Sequence, residues 1–98
     1  MRKQAIWLST LLLIPVIGFA QTGEELAALC SGCHGKNGIS INDETPNLAA
    51  QKRAYIVKAV KDYRSGRRSN PMMSAMAANL KDEEIELLAT YFSELKHP

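Results

Sequence analysis

Residues Cys30-Ser31-Gly32-Cys33-His34 constrain this chain more than any other stretch. Two thiols three positions apart sit on one side of a helix, about one turn from each other. A histidine follows the second thiol directly. This C-x-x-C-H order is the attachment signature of a c-type haem. The thiols add across the two vinyl groups as thioethers, and the imidazole reaches the iron from the same side.

Other uses of C-x-x-C fit less well. A dithiol redox site follows a strand in a βαβ unit, and no strand pattern stands out. A closed zinc site needs about four ligands. Beyond the two cysteines the chain has only two histidines, His34 and His97, and His97 lies beside the C-terminus. It is expected to be solvent-exposed, with no native role. A disulfide across two intervening residues would do little for the fold.

The N-terminus reads as an address. Arg2 and Lys3 form a basic start, Ala5 to Gly18 is almost wholly apolar, and Gly18-Phe19-Ala20 places small residues at a cleavage site. Residues 1–20 are therefore expected to be a secretory signal peptide, and 21–98 the folded domain in the periplasm. The apolar run falls short of the roughly 20 residues that span a bilayer, so no membrane insertion is expected after cleavage. Arg2 and Lys3 account for the whole net charge of +2. From Gln21 onward the chain is formally neutral, which removes the case for nucleic-acid binding. So short a domain builds a marginal core and needs a staple. A covalent haem is one.

Along the rest of the chain the apolar period is helical. Thr22-Gly23-Glu24-Glu25 reads as a capping box. Leu26, Leu29, Cys30 and Cys33 follow at i, i+3, i+4 and i+7, which places both cysteines on one apolar face. Gly35 and Gly38 end that element, and Lys36 to Ala50 reads as a surface loop. Lys52 to Ser65 is expected to be helical, with Ile56, Ala59, Val60 and Tyr63 on one face. Its many cations, from Lys52 to Arg68, read first as a solvated face and second as a docking patch for an acidic partner. Gly66 to Met76 is expected to be a loop containing Met72, Met73 and Met76. Any of these three can fill a core gap or serve as a sixth iron ligand. Asp82 to Lys96 is the last helix, with Ile85, Leu88, Phe92 and Leu95 as its stripe and Asp82, Glu83 and Glu84 in its first turn. One all-α domain follows.

With these features in place, the sequence resembles the small class I bacterial cytochromes c. It is similar in particular to single-domain relatives of the dihaem cytochromes of that class. The likeness runs from Thr22 to Leu95 and rests on Cys30 to Gly35, Pro46-Asn47-Leu48, Tyr55 to Gly66, and Met73 through Leu80 to Phe92. It implies three main helices plus loops around one covalently bound haem c. Cys30 and Cys33 would carry the thioethers and His34 the proximal bond, with the Pro46 carbonyl accepting from the His34 ring. Met73, seven residues before Leu80, would be the sixth ligand, with Met76 and then Met72 as runners-up. The first and last helices would cross near Ala27 and Tyr91. Lys81 departs from the Ser or Thr that often caps the last helix.

The resemblance also implies a role. Iron saturated by histidine and methionine has no open position, so a catalyst is not expected. The expected function is a monomeric, periplasmic one-electron carrier between respiratory redox protein partners, steered by a charge dipole between the basic stretch and the acidic last helix. An electron-accepting subunit of a periplasmic dehydrogenase or oxidase complex is the second reading. A gas sensor or small peroxidase, which needs a labile methionine, is the third.

Overall fold

The computed structural model describes residues 3–4 and 21–97. The expected signal peptide at 1–20 lies almost wholly outside the described residues. Among the described residues there are four helices and no strand: α1 Gly23–His34, α2 Arg53–Ser65, α3 Pro71–Ala77 and α4 Asp82–Ser93. None is long and apolar enough to cross a membrane.

α1 starts where its cap predicts. The Thr22 hydroxyl accepts from the Glu25 N–H at 3.2 Å and donates to the Glu25 carboxylate at 3.0 Å. The glutamate thus binds the capping hydroxyl itself, a variant of the capping box. The helix stops because Gly35 adopts φ 89° while its N–H reaches the Ser31 carbonyl at 3.0 Å. A Cβ at Gly35 would lie 1.8 Å from the Ile39 carbonyl oxygen, so only glycine fits.

α2 spans the expected segment, and Gly66 in the left-handed region closes it. α4 starts at Asp82 although Lys81 has no side-chain oxygen to offer. Glu84 supplies the other half of the box instead, accepting from the Lys81 N–H at 2.9 Å. The helix ends at Ser93, short of the expected Lys96. The Phe92 carbonyl is claimed by the N–H groups of Ala50 and Leu95, at 3.0 and 3.2 Å, and no longer serves a further helical turn. Ala50 makes its contact from φ 60°, the one non-glycine positive φ among the described residues.

α3 corrects the expectation of a loop through Gly66 to Met76. The Asn70 side chain accepts from the N–H groups of Met72 and Met73 at 3.1 and 3.0 Å, and Pro71 occupies the first turn. An Asx cap followed by proline at N1 is a strong start signal.

α4 is the central element. It packs on both α1 and α2, whereas α3 packs on α2 alone. Leu26 and Ala27 of α1, Ile56 of α2, and Leu88, Ala89 and Phe92 of α4 form the core, with Leu48, Val60 and Leu80 against it. Full burial of side chains such as Phe92 and Ile85 stabilises by roughly 1.5–3 kcal/mol each. Two arginine forks join α2 to α4. Arg53 bonds Glu86 and Thr90; Arg64 bonds Asp82 at 2.6 Å and the Leu80 carbonyl at 2.9 Å. The start of α2 meets the middle of α4 and its end meets the start of α4, so the two run antiparallel.

Candidate functional site

The inward stripe of α1 is Leu26, Ala27, Cys30 and His34. Leu26, Ala27 and His34 are buried, and Cys30 is half-buried against the core. Leu29 and Cys33, expected on the same face, are exposed, Leu29 at 76%. At 3.6 residues per turn they fall on the flank of the stripe that α4 covers. The Cys30 thiol therefore lies at the edge of the core, while the Cys33 thiol faces outward on the same flank as the exposed Leu29. Both are free.

His34 is fixed from its loop side. Its Nδ1 lies 2.8 Å from the Pro46 carbonyl oxygen. A carbonyl only accepts, so Nδ1 carries the proton, and the lone pair resides on Nε2, where a metal can take it. This is the contact expected of Pro46.

The loop from Gly35 to Lys52 is built to place that carbonyl. The Gly38 carbonyl accepts from the N–H groups of Leu48 and Ala49, at 2.8 and 3.0 Å, and closes the loop on itself. The Asn42 side chain accepts from Glu44 and Thr45, and the Asn47 side chain accepts from the Ser40 N–H at 2.7 Å. Turn-rich composition was legible in the sequence; this closure through one glycine carbonyl was not.

Burial raises the pKa of the Cys30 thiol above its ordinary value, and the neighbouring Cys33 adds to the rise. A catalytic dithiol needs the opposite, a thiol held below its usual pKa. Among the described residues no three His, Cys, Asp or Glu side chains converge into a metal cluster. Neither alternative to haem attachment gains support.

The three methionines differ in exposure. Met72 is 62% exposed and Met76 37% exposed, while Met73 is half-buried. α3, which carries them, does not pack on α1, which carries the thiols and the imidazole. The two donor-bearing helices rest on different neighbours, α1 on α4 and α3 on α2. Two sulfurs, an Nε2 lone pair and a thioether on a separate helix are a donor set that fits a covalent haem.

Charge is arranged differently from expectation. The basic stretch and the acidic last helix face each other along the α2–α4 seam. Arg53, Lys58 and Arg64 are each paired, with Glu86, Asp62 and Asp82. The Lys58 and Arg64 bonds are the leading causes that hold the Asp62 and Asp82 carboxyls below their ordinary pKa. Lys61 and Arg67 line a hollow on α2 together with the paired Lys58, Asp62 and Arg64, and Glu24, Glu83 and Glu94 line a second at the α1–α4 seam. Neither hollow is lined by Cys30, Cys33, His34 or Met73.

An all-helical domain with two free thiols and a carbonyl-oriented imidazole at one helix end has the architecture of a class I c-type haem protein. The family model described as "Cytochrome c" matches residues 20–96. The chain belongs to the cytochrome c family, whose domain implies covalently bound haem c.

It is 37% identical over 79 residues to cytochrome c-554(548) of Halomonas halodenitrificans, covering 78% of this chain and 95% of that one. It is 37% identical over 82 residues to a thiosulfate dehydrogenase electron acceptor of Stutzerimonas stutzeri, covering 82% of this chain and 38% of that one. Among solved structures, reduced recombinant cytochrome c4 from Pseudomonas stutzeri superposes with a TM-score of 0.70 at 36% identity, over 76% of this chain and 46% of that one. The chain spans about two-fifths of the length of the curated cytochrome c4 relatives it matches.

Proposed function

We propose that the chain is a periplasmic one-electron carrier with a single haem c. Thioethers at Cys30 and Cys33 would anchor the haem, His34 Nε2 would hold the iron on one side, and Met73 would hold it on the other. The carrying observation is the 2.8 Å contact between His34 Nδ1 and the Pro46 carbonyl, which leaves Nε2 free to bind metal beside two free thiols. The partial burial of Met73 against the 62% exposure of Met72 favours Met73 over Met72 within α3.

When bound, haem iron supplies the Fe(III)/Fe(II) couple, and a thioether ligand and a buried macrocycle both favour the reduced form. The protein's own residues hold that couple still. The Pro46 carbonyl fixes the imidazole plane and its tautomer, so the histidine need not turn as charge changes. Leu29, exposed one turn before Cys33, would supply apolar cover for a porphyrin edge.

A second reading, an electron-accepting subunit of a dehydrogenase complex, draws support from the name of the Stutzerimonas stutzeri relative. Two measurements test both readings. Mass spectrometry of protein made alongside the haem-attachment machinery should show one haem added, and none in Cys30→Ala/Cys33→Ala. A colourless wild-type product of unmodified mass overturns the proposal. Purification from the native host as a free monomer favours the carrier; a stable stoichiometric partner favours the subunit.

A further inference from the structure

The methionine helix α3 is held unequally. Its start is capped locally by Asn70, and α2 is the one helix its body packs on among the described residues. Its exit, residues 78–81, must return the chain to α4. The Leu80 N–H bonds back to the Ala77 carbonyl at 3.1 Å, and the Leu80 carbonyl finds its partner elsewhere. The Arg64 guanidinium takes it. One nitrogen reaches the Leu80 carbonyl at 2.9 Å and the other the Asp82 carboxylate at 2.6 Å. Its side chain is 30% exposed, against 52% for Arg53 in the other fork. A partly desolvated guanidinium with two acceptors in fixed geometry gives a directional tie that a surface ion pair does not.

We infer that Arg64 is a positioning residue for the sixth iron ligand. By gripping the α3–α4 connection on both sides of Lys81, it sets how far α3 can swing on α2, and so how firmly Met73 is presented. This rests on the reading of Met73 as that ligand. Arg53 is the natural comparison. It lies on the same helix and ties the same pair of helices, but both its partners, Glu86 and Thr90, are inside α4 and away from α3.

The test uses ferric holoprotein and imidazole as the competing ligand, because imidazole binds only where the methionine yields. Arg64→Ala should raise imidazole affinity about tenfold, the low end of what losing a ligand's supporting partner costs. Arg64→Lys, whose ammonium replaces part of the fork, should recover part of the difference. Asp82→Asn, which keeps the bond to the Leu80 carbonyl, should give a smaller rise and serves if Arg64→Ala does not fold. Arg53→Ala should leave imidazole affinity at the wild-type value whatever it does to global stability. Equal affinities in wild type and Arg64→Ala, or an equal rise in Arg53→Ala, overturn the inference. Met73→Ala separates the two levels. If it abolishes the long-wavelength sulfur–iron absorption band while Arg64→Ala leaves imidazole binding unchanged, only the role of Arg64 fails. If the band survives in Met73→Ala, the ligand assignment fails, and the positioning role with it.

Discussion

Gly23 sits directly on the Leu87 carbonyl: a Cβ added there would lie 2.6 Å from that oxygen and 3.1 Å from the Tyr91 Cβ. The first and last helices approach backbone to backbone at this point, beside Tyr91 and one turn before Ala27, in the region where their crossing is expected. Gly23→Ala must therefore push α1 off α4, at a cost of about 1–3 kcal/mol. Gly32, in the same helix, has nothing within 4 Å. Gly32→Ala should gain about 0.5–1 kcal/mol from helix propensity alone. Urea unfolding of the two variants checks the contrast, and a Gly23→Ala protein as stable as wild type contradicts the close crossing.

Asn70 satisfies two N–H groups at the start of α3 with one side-chain oxygen. Asn70→Ala should cost about 1 kcal/mol. Asn70→Asp, which keeps an acceptor, should cost much less. Thermal melts of the two variants distinguish a capped helix from a loop.

Arg64 holds the Asp82 carboxyl below its ordinary pKa, with help from nearby Lys61. Lys58 does the same for Asp62. A carboxyl depressed on folding contributes stability that is complete above its unfolded pKa. That contribution is lost as pH falls through the folded value. The stability gap between wild type and Asp82→Asn should be open at neutral pH and close below the usual carboxylate range. A gap that stays constant from neutral to acid pH shows that the ion pair contributes nothing.

Met73→Ala should remove the sulfur–iron charge-transfer band and lower the reduction potential, since a thioether favours Fe(II). Met72→Ala, at a side chain already 62% exposed, should change neither. A band that persists in Met73→Ala and vanishes in Met76→Ala moves the ligand one turn along α3.

The basic hollow on α2 keeps Lys61 and Arg67 after its other cations are paired. Reversing both to glutamate should slow electron exchange with an acidic partner at low ionic strength and leave the high-salt rate unchanged. An unaltered low-salt rate places docking elsewhere.

How much of this was legible in the residues depends on the range of the interaction. The C-x-x-C-H run, the Thr22 cap and the stripes of α2 and α4 are written in local spacing, and the structure follows the cap and the two stripes. So is the Asn70-Pro71 start of α3, a local signal outweighed by the cluster of methionines after it. Other features were not readable. Period alone put Leu29 and Cys33 on the same face as Leu26, but which flank α4 covers is decided by packing. The fork of Arg64 joins residues far apart in sequence, so the same arginine that suggested a charged surface proves to be a tie. The expected charge dipole is weakened for the same reason, since antiparallel α2 and α4 bring the opposite charges together.

The acceptor that orients His34 is a main-chain oxygen, and every residue type possesses one. Replacing Pro46 need not remove it, whereas distorting Gly38, whose carbonyl closes the loop, would carry it out of reach. The electronic character of the imidazole is thus governed by the shape of a loop rather than by the chemistry of any neighbour. Tuning a redox centre of this kind is a problem of backbone geometry, open to substitutions that touch neither ligand nor porphyrin.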